Sequence, residues 1–208
     1  MLNAMKKNGG ILAAFAVAST ALVAITNWVT HDTITEQQQL DLQKTLNQVI
    51  PKSMHDNQLY ASCMLLPSQT TVTKERMPAY LATKEGKPTA IAIETYAPDG
   101  YNGAIKIIVG LDMNGVITST RVLAHNETPG LGDKIETRKG KWIFSFDQRT
   151  VTDDNQSEWA VRKDGGQFDQ FTGATITPRA VVKAVKNTVL YFKQNKDRIL
   201  SQPLNCEK

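Results

Sequence analysis

From Gly9 to Val29 the chain carries no charged side chain, and the residues are apolar on every face of a helix. A run of that length matches the roughly 20 residues needed to cross a bilayer. A helix on the surface of a soluble domain would show one apolar and one polar face, and a buried core helix is the least favoured reading, so this segment reads as a single transmembrane helix over residues 9–29. Lys6 and Lys7 precede it, whereas Asp32 and Glu36 follow it and the next lysine is Lys44. The excess of positive charge on the N-terminal side predicts a cytoplasmic segment 1–8. Everything after about His31 is then expected outside the cytoplasm, in the periplasm of a Gram-negative cell, on a single-pass protein of the inner membrane. Trp28 suits an interfacial anchor. A cleaved secretion signal shares the basic start and apolar core, but the run is long for one and no small-x-small site closes it.

About 180 residues follow the span, within the range of one domain. The chain is 41% hydrophobic with a formal net charge of +4, and acids and bases are well mixed. The densest basic run, Arg138-Lys139-Gly140-Lys141, lacks the length and interleaved aromatics of a nucleic-acid surface and reads as a solvated loop or docking surface. Three histidines without ligand spacing suggest no metal site. Cys63 and Cys206 are far apart in sequence; an oxidising compartment permits a disulfide, and two separate thiols are the alternative.

Coarse patterning gives an α+β domain with an antiparallel sheet and flanking helices. Thr33 and Glu36 are spaced as a capping box. Leu42, Leu46, Val49 and Ile50 mark a helix face that Pro51 stops, so residues 30–88 are expected to hold a juxtamembrane helix, continuing from the span or standing just outside it, and an irregular stretch from 52 onward. Lys84 to Pro88 reads as a turn. The domain core is assigned to 89–208. Thr89–Tyr96, Ala104–Leu111 and Val116–Ala124 read as strands, the first two joined by a loop over 98–103. Asp112-Met113-Asn114-Gly115 is a hairpin turn. A helix or loop covers 133–150, Trp159-Ala160-Val161 looks strand-like, and a helix is expected from Thr177, as N-cap, and Pro178. Its apolar face is Val181, Val182, Val185, Val189 and Phe192.

Two segments carry chemistry. The first, Asp169-Gln170-Phe171-Thr172-Gly173-Ala174-Thr175, puts hydroxyls and a glycine-opened backbone just ahead of a helix N-terminus, where free N–H groups and the dipole favour an anion. Locally it is also compatible with an ordinary helix cap. The second, His125-Asn126-Glu127-Thr128-Pro129-Gly130-Leu131-Gly132-Asp133, leaves a strand through a Pro-Gly turn.

The first segment resembles the acceptor motif of proteins carrying covalently bound FMN, and the second resembles the glycine-rich signature loop of the same FMN-binding domain. With the anchor, sheet, terminal helix and overall size, the chain resembles the G subunits of Rnf/Rsx ion-translocating electron-transport complexes; the C subunit of the sodium-pumping quinone reductase is the nearest confusable relative. The resemblance implies FMN joined as a phosphodiester to Thr175 by a flavin transferase. It implies that Asp169, Thr172, Gly173 and Ala174 form the motif around the phosphate, and that Glu127, Thr128, Gly130 and Leu131 contact the flavin, with Gly132 allowing close approach. It implies a relay of electrons among partner subunits, with no catalytic residue assigned to this chain alone. A non-covalent FMN-binding module and a flavin-free scaffold are the competing readings.

Overall fold

The computed structural model describes residues 2–67 and 76–206. One helix, α1 (Leu2–Val49), runs through the apolar segment and beyond it. The capping box expected at Thr33 does not form a helix start, because the helix is already under way. No glycine or proline lies between Ile11 and Ile50 to interrupt it. The threonines on the way are accommodated by turning their hydroxyls back: Thr26 donates to the Leu22 carbonyl, Thr30 to that of Thr26 and Thr35 to that of His31, at 2.8–3.0 Å. Pro51 stops the helix as expected, since the residue before a proline is pushed out of the helical region.

Two compact units divide the chain, Met1–Leu42 and Gln43–Lys208. In the first, the side chains from Met5 onward are almost all exposed, including Leu12, Phe15, Val17 and Leu22. The window of highest hydropathy is long and apolar enough to cross a membrane and is not buried within the protein.

The second unit is built on a five-stranded antiparallel sheet: β1 (Cys63–Leu66), β2 (Met77–Lys84), β3 (Lys87–Ala97), β4 (Ile105–Asp112) and β5 (Ile117–Ala124), in that spatial order. The three strands expected at 89–96, 104–111 and 116–124 appear within two residues of those bounds, as β3, β4 and β5. The segment 52–88, expected to be irregular, instead contains β1 and β2. β2 carries little strand signal because it is built largely from residues that are small or not branched at Cβ (Ala79, Leu81, Ala82), with Thr83 its one β-branched residue, and no apolar–polar alternation marks it. The turn at 84–88 is real: Glu85 and Gly86 both take positive φ, 53° and 73°, as a two-residue hairpin requires.

One face of the sheet packs against α2 (Ile176–Leu200), which crosses β3 and β4. Ile91, Ile93, Ile107, Val109 and Leu111 meet Val181, Val182, Val185, Val189 and Phe192 in a single core. The opposite face receives the last turn of α1, where Leu46, Val49 and Ile50 are fully buried. Gly110 makes room for that turn; a Cβ there would lie 2.8 Å from the Val49 carbonyl oxygen. Thr118 Oγ1 donates to the same carbonyl at 2.7 Å.

Between β5 and α2 the chain runs through short 3₁₀ turns, not a regular helix or strand. Trp159–Val161 forms no strand, only a single bridge from Val161 to Phe168. Its strand-like residues serve an aromatic cluster of Trp142, Phe146, Trp159, Phe168 and Phe171, with neighbouring centroids 4.8–6.2 Å apart. The two cysteines, whose pairing the sequence left open, are joined, with Cα atoms 5.4 Å apart and a sequence separation of 143.

Candidate functional site

Three loops and one helix end meet around a cleft of about 240 Å³, lined by Tyr101, Glu127, Thr128, Leu131, Gly132 and the run from Gly173 to Thr177. Each wall has a local cause. Thr128-Pro129-Gly130-Leu131 is a tight turn closed by the Leu131 N–H on the Thr128 carbonyl at 3.1 Å. Pro129 sits where φ near −65° is wanted, and Gly130 takes φ 79° at the position that excludes a side chain. Phe171-Thr172-Gly173-Ala174 repeats the device: Ala174 N–H donates to the Phe171 carbonyl at 3.1 Å, and Gly173 also has φ 79°. The two turns face one another, since a Cβ on Gly173 would lie 3.7 Å from Leu131 Cδ2.

The motif is held from beneath and from the side. Trp142 Nε1–H donates to the Asp169 carbonyl at 2.7 Å while its ring packs edge-on against Phe171. Arg162 Nε pairs with the Asp169 carboxylate at 2.9 Å in solvent. Asp164 and Arg179 form a two-pronged pair at 2.6 and 2.8 Å that ties the preceding 3₁₀ turn to the first turn of α2.

Helix α2 starts earlier than expected. Thr175, not Thr177, occupies the N-cap, and its side chain makes no capping hydrogen bond. Thr177 is buried and spends its hydroxyl elsewhere, donating to Glu127 Oε2. The Thr175 side chain therefore lines the cleft at a helix N-terminus whose first turn contains no acidic residue. Unpaired N–H groups and the positive end of the dipole lie beside it.

Glu127 is 4% exposed, and both of its oxygens are engaged. Oε1 accepts from the Asn102 N–H at 3.1 Å and Oε2 from the Thr177 hydroxyl. Its own N–H donates to His125 Nδ1 at 3.0 Å. That makes Nδ1 an acceptor, so Nε2 carries the hydrogen that reaches Glu136 Oε1 at 2.8 Å. The hydrogen bond from Arg138 holds the Glu136 carboxyl below the usual carboxylate range; burial opposes it, and the bond from His125 adds to it.

Of the residues singled out from sequence, Glu127, Thr128, Leu131, Gly173, Ala174 and Thr175 come together at the cleft; Asp169, Thr172 and Gly130 lie outside its lining. Sequence reasoning missed Tyr101 and Ile176 as wall residues. Tyr101 is 67% exposed, and its only signal was an aromatic residue placed in a glycine-rich loop. Among the described residues no group of three or more His, Cys, Asp or Glu side chains is arranged to hold a metal ion.

Sheet, glycine turns and cleft together describe an FMN-binding domain, and the family model of that description matches residues 100–190. A second, described as the RnfG N-terminal region, matches residues 1–49. Proteins named as the G subunit of the ion-translocating oxidoreductase complex align along the full length. The one from Vibrio parahaemolyticus is 61% identical over 99% of this chain and 98% of its own. That from Vibrio atlanticus is 60% identical over 99% of both, and that from Shewanella oneidensis 55% identical over 100% of this chain and 98% of its own. The chain belongs to this G-subunit family. Among solved structures, the crystal structure of Shewanella oneidensis NqrC has a similar fold, with a TM-score of 0.50, 19% identity and coverage of 73% of this chain and 74% of that one.

Proposed function

We propose that this chain is a membrane-anchored electron-transfer subunit of an ion-translocating oxidoreductase complex. It carries FMN joined through its phosphate to Thr175 Oγ1. The observation that carries the reading is the convergence of two glycine turns and the start of α2 on one cleft, with the Thr175 hydroxyl free of any capping bond. The chemistry of the walls fits the group. The helix N-terminus and the adjacent Gly173 backbone suit a phosphate, and Tyr101, Leu131 and Ile176 offer apolar surface to a ring system. FMN supplies one- and two-electron transfer, and the protein supplies tethering, orientation and tuning.

In this reading Thr175 is an attachment point, not a nucleophile in turnover. Thr172, Gly173 and Ala174 shape the loop around the phosphate. Thr128 and Leu131 form the opposing wall with Glu127 beside them, Gly130 sets the turn that carries them, and Asp169 presents the motif to a flavin transferase. The N-terminus lies in the cytoplasm and residues 43–208 in the periplasm, where a covalent link prevents loss of the cofactor. The other subunits of the complex are the electron donor and acceptor. Full-length identity of 55–61% to the G-subunit proteins supports this assignment over a quinone-reductase C subunit, to which only the fold is similar.

The test is the mass of the intact, denatured chain from a host making the transferase. The expected increase equals FMN less one water, maps to the peptide containing Thr175, and is absent from T175A. Flavin released on denaturation would replace the covalent reading with a non-covalent one. A colourless chain, from a host whose transferase modifies a control substrate, would leave only a scaffold.

A further inference from the structure

Glu127 joins three segments that belong to different parts of the fold. The 98–103 loop, carrying Tyr101, is held through the Asn102 N–H at 3.1 Å. Glu127 itself opens the glycine turn at 128–132. The first turn of α2, which follows Thr175, is held through the Thr177 hydroxyl. Carboxylate and hydroxyl are both buried, at 4% and 1% exposure, so water does not compete for these bonds. The surrounding chain is cut to fit them. A Cβ on Gly132 would lie 2.7 Å from Thr177 Oγ1 and 2.8 Å from Glu127 Oε2, and one on Gly100 would lie 3.0 Å from Glu127 Oε1.

We infer that Asn102, Glu127 and Thr177 form a clasp that assembles the cleft before any flavin is attached, and that Thr177 is a positioning residue for modification of Thr175. The inference rests on the covalent-FMN reading above and adds to it how the acceptor is presented. Thr177 is two residues beyond Thr175, so fixing its hydroxyl to Glu127 fixes the direction in which α2 leaves the acceptor. In the modification, Thr175 Oγ1 attacks the flavin-side phosphorus of a flavin dinucleotide. The new Oγ1–P bond replaces the phosphoanhydride bond, the nucleoside monophosphate leaves with the bridging oxygen, and the hydroxyl proton passes to a base on the transferase. Nothing is oxidised or reduced. The clasp contributes by holding Oγ1 where that attack can occur, a positional effect to which rates are sensitive.

The experiment follows labelling of the full-length, unmodified chain in detergent by purified transferase and flavin dinucleotide, read as flavin fluorescence of the denatured band. T177V removes the hydroxyl but keeps the shape; T177S keeps the hydroxyl. Labelling of T177V is expected to be about tenfold slower, in the range a lost hydrogen bond to a charged group can produce, while T177S labels at close to the wild-type rate. Circular dichroism melts accompany each variant. Where T177V does not melt cooperatively, E127Q, which keeps the side-chain shape and weakens both bonds, takes its place with the same expected slowing. Wild-type labelling of a folded T177V or E127Q would overturn the clasp, as would a T177S chain as slow as T177V. Failure of the wild-type chain itself to label, with the transferase active on a control substrate, would instead refute the covalent-FMN reading.

Discussion

Gly132 and Gly130 sit two residues apart, yet they resist substitution for different reasons. Gly132 is confined by Thr177 and Glu127, whereas a Cβ on Gly130 meets nothing within 4 Å and is opposed only by φ 79°. G132A forces two hydrogen-bonded side chains apart inside a buried site, so it should destabilise the domain by about 1–3 kcal/mol and slow flavin attachment. G130A should cost about 1–2 kcal/mol from the left-handed backbone alone and leave the clasp in place. Thermal melts of both variants, paired with labelling rates, separate the two effects: G132A lowers both, G130A mainly the melt. Part of this site was legible from residues alone. Thr-Gly-Ala-Thr and Pro-Gly-Leu-Gly announce turns because a positive φ needs glycine. Thr177 was legible only as a cap, since a threonine ahead of a proline looks the same whether its hydroxyl serves its own helix or a carboxylate 50 residues away.

Strands were legible where β-branched residues are dense, whatever their burial. β4 and β5, rich in Ile, Val and Thr, read as strands; β2, buried no more deeply than β4 but with Thr83 as its one β-branched residue, does not. α2 was recognised by its periodic valines, and its start is secured by an ion pair that no pattern marks. The two-pronged hydrogen bond from Arg179 holds the Asp164 carboxyl below the usual carboxylate value of 3.8, ahead of the opposing effect of desolvation. A carboxyl with a depressed folded-state value stabilises the fold above pH 3.8, and the contribution is lost as pH falls further through the depressed value. Unfolding midpoints measured between pH 6 and pH 2 should therefore drop on the acid side, and D164N should lack that part of the drop while being less stable than wild type at pH 6. Both partners are largely solvent-exposed, so the difference should shrink in high salt.

At the scale of the molecule, the chain divides within α1 and not at its end. The unit Gln43–Lys208 keeps the last turn of that helix, because Leu46, Val49 and Ile50 belong to the core of the sheet domain. A protein beginning at Gln43 should be soluble without detergent, melt cooperatively and accept flavin, whereas one beginning at Pro51 should expose the apolar face around Gly110 and aggregate. Gel filtration and circular dichroism of the two truncations test this directly. The disulfide between Cys63 and Cys206 acts at the same scale, linking the edge strand to the segment after α2.

The amino-acid order by itself determined the properties that depend on neighbours along the chain. These are an uncharged run long enough for a bilayer, with its flanking charge asymmetry, the glycine turns, the helix stop at Pro51 and the periodic face of α2. Each follows from local sterics or from a repeat that a single element expresses alone. Only the tertiary structure decided that residues 63–66 and 77–84 pair as strands, that the cysteines are bonded, and that Glu127 turns inward to Asn102 and Thr177. Those outcomes depend on which groups meet across long separations, and burial strengthens such contacts by removing the water that would otherwise satisfy them.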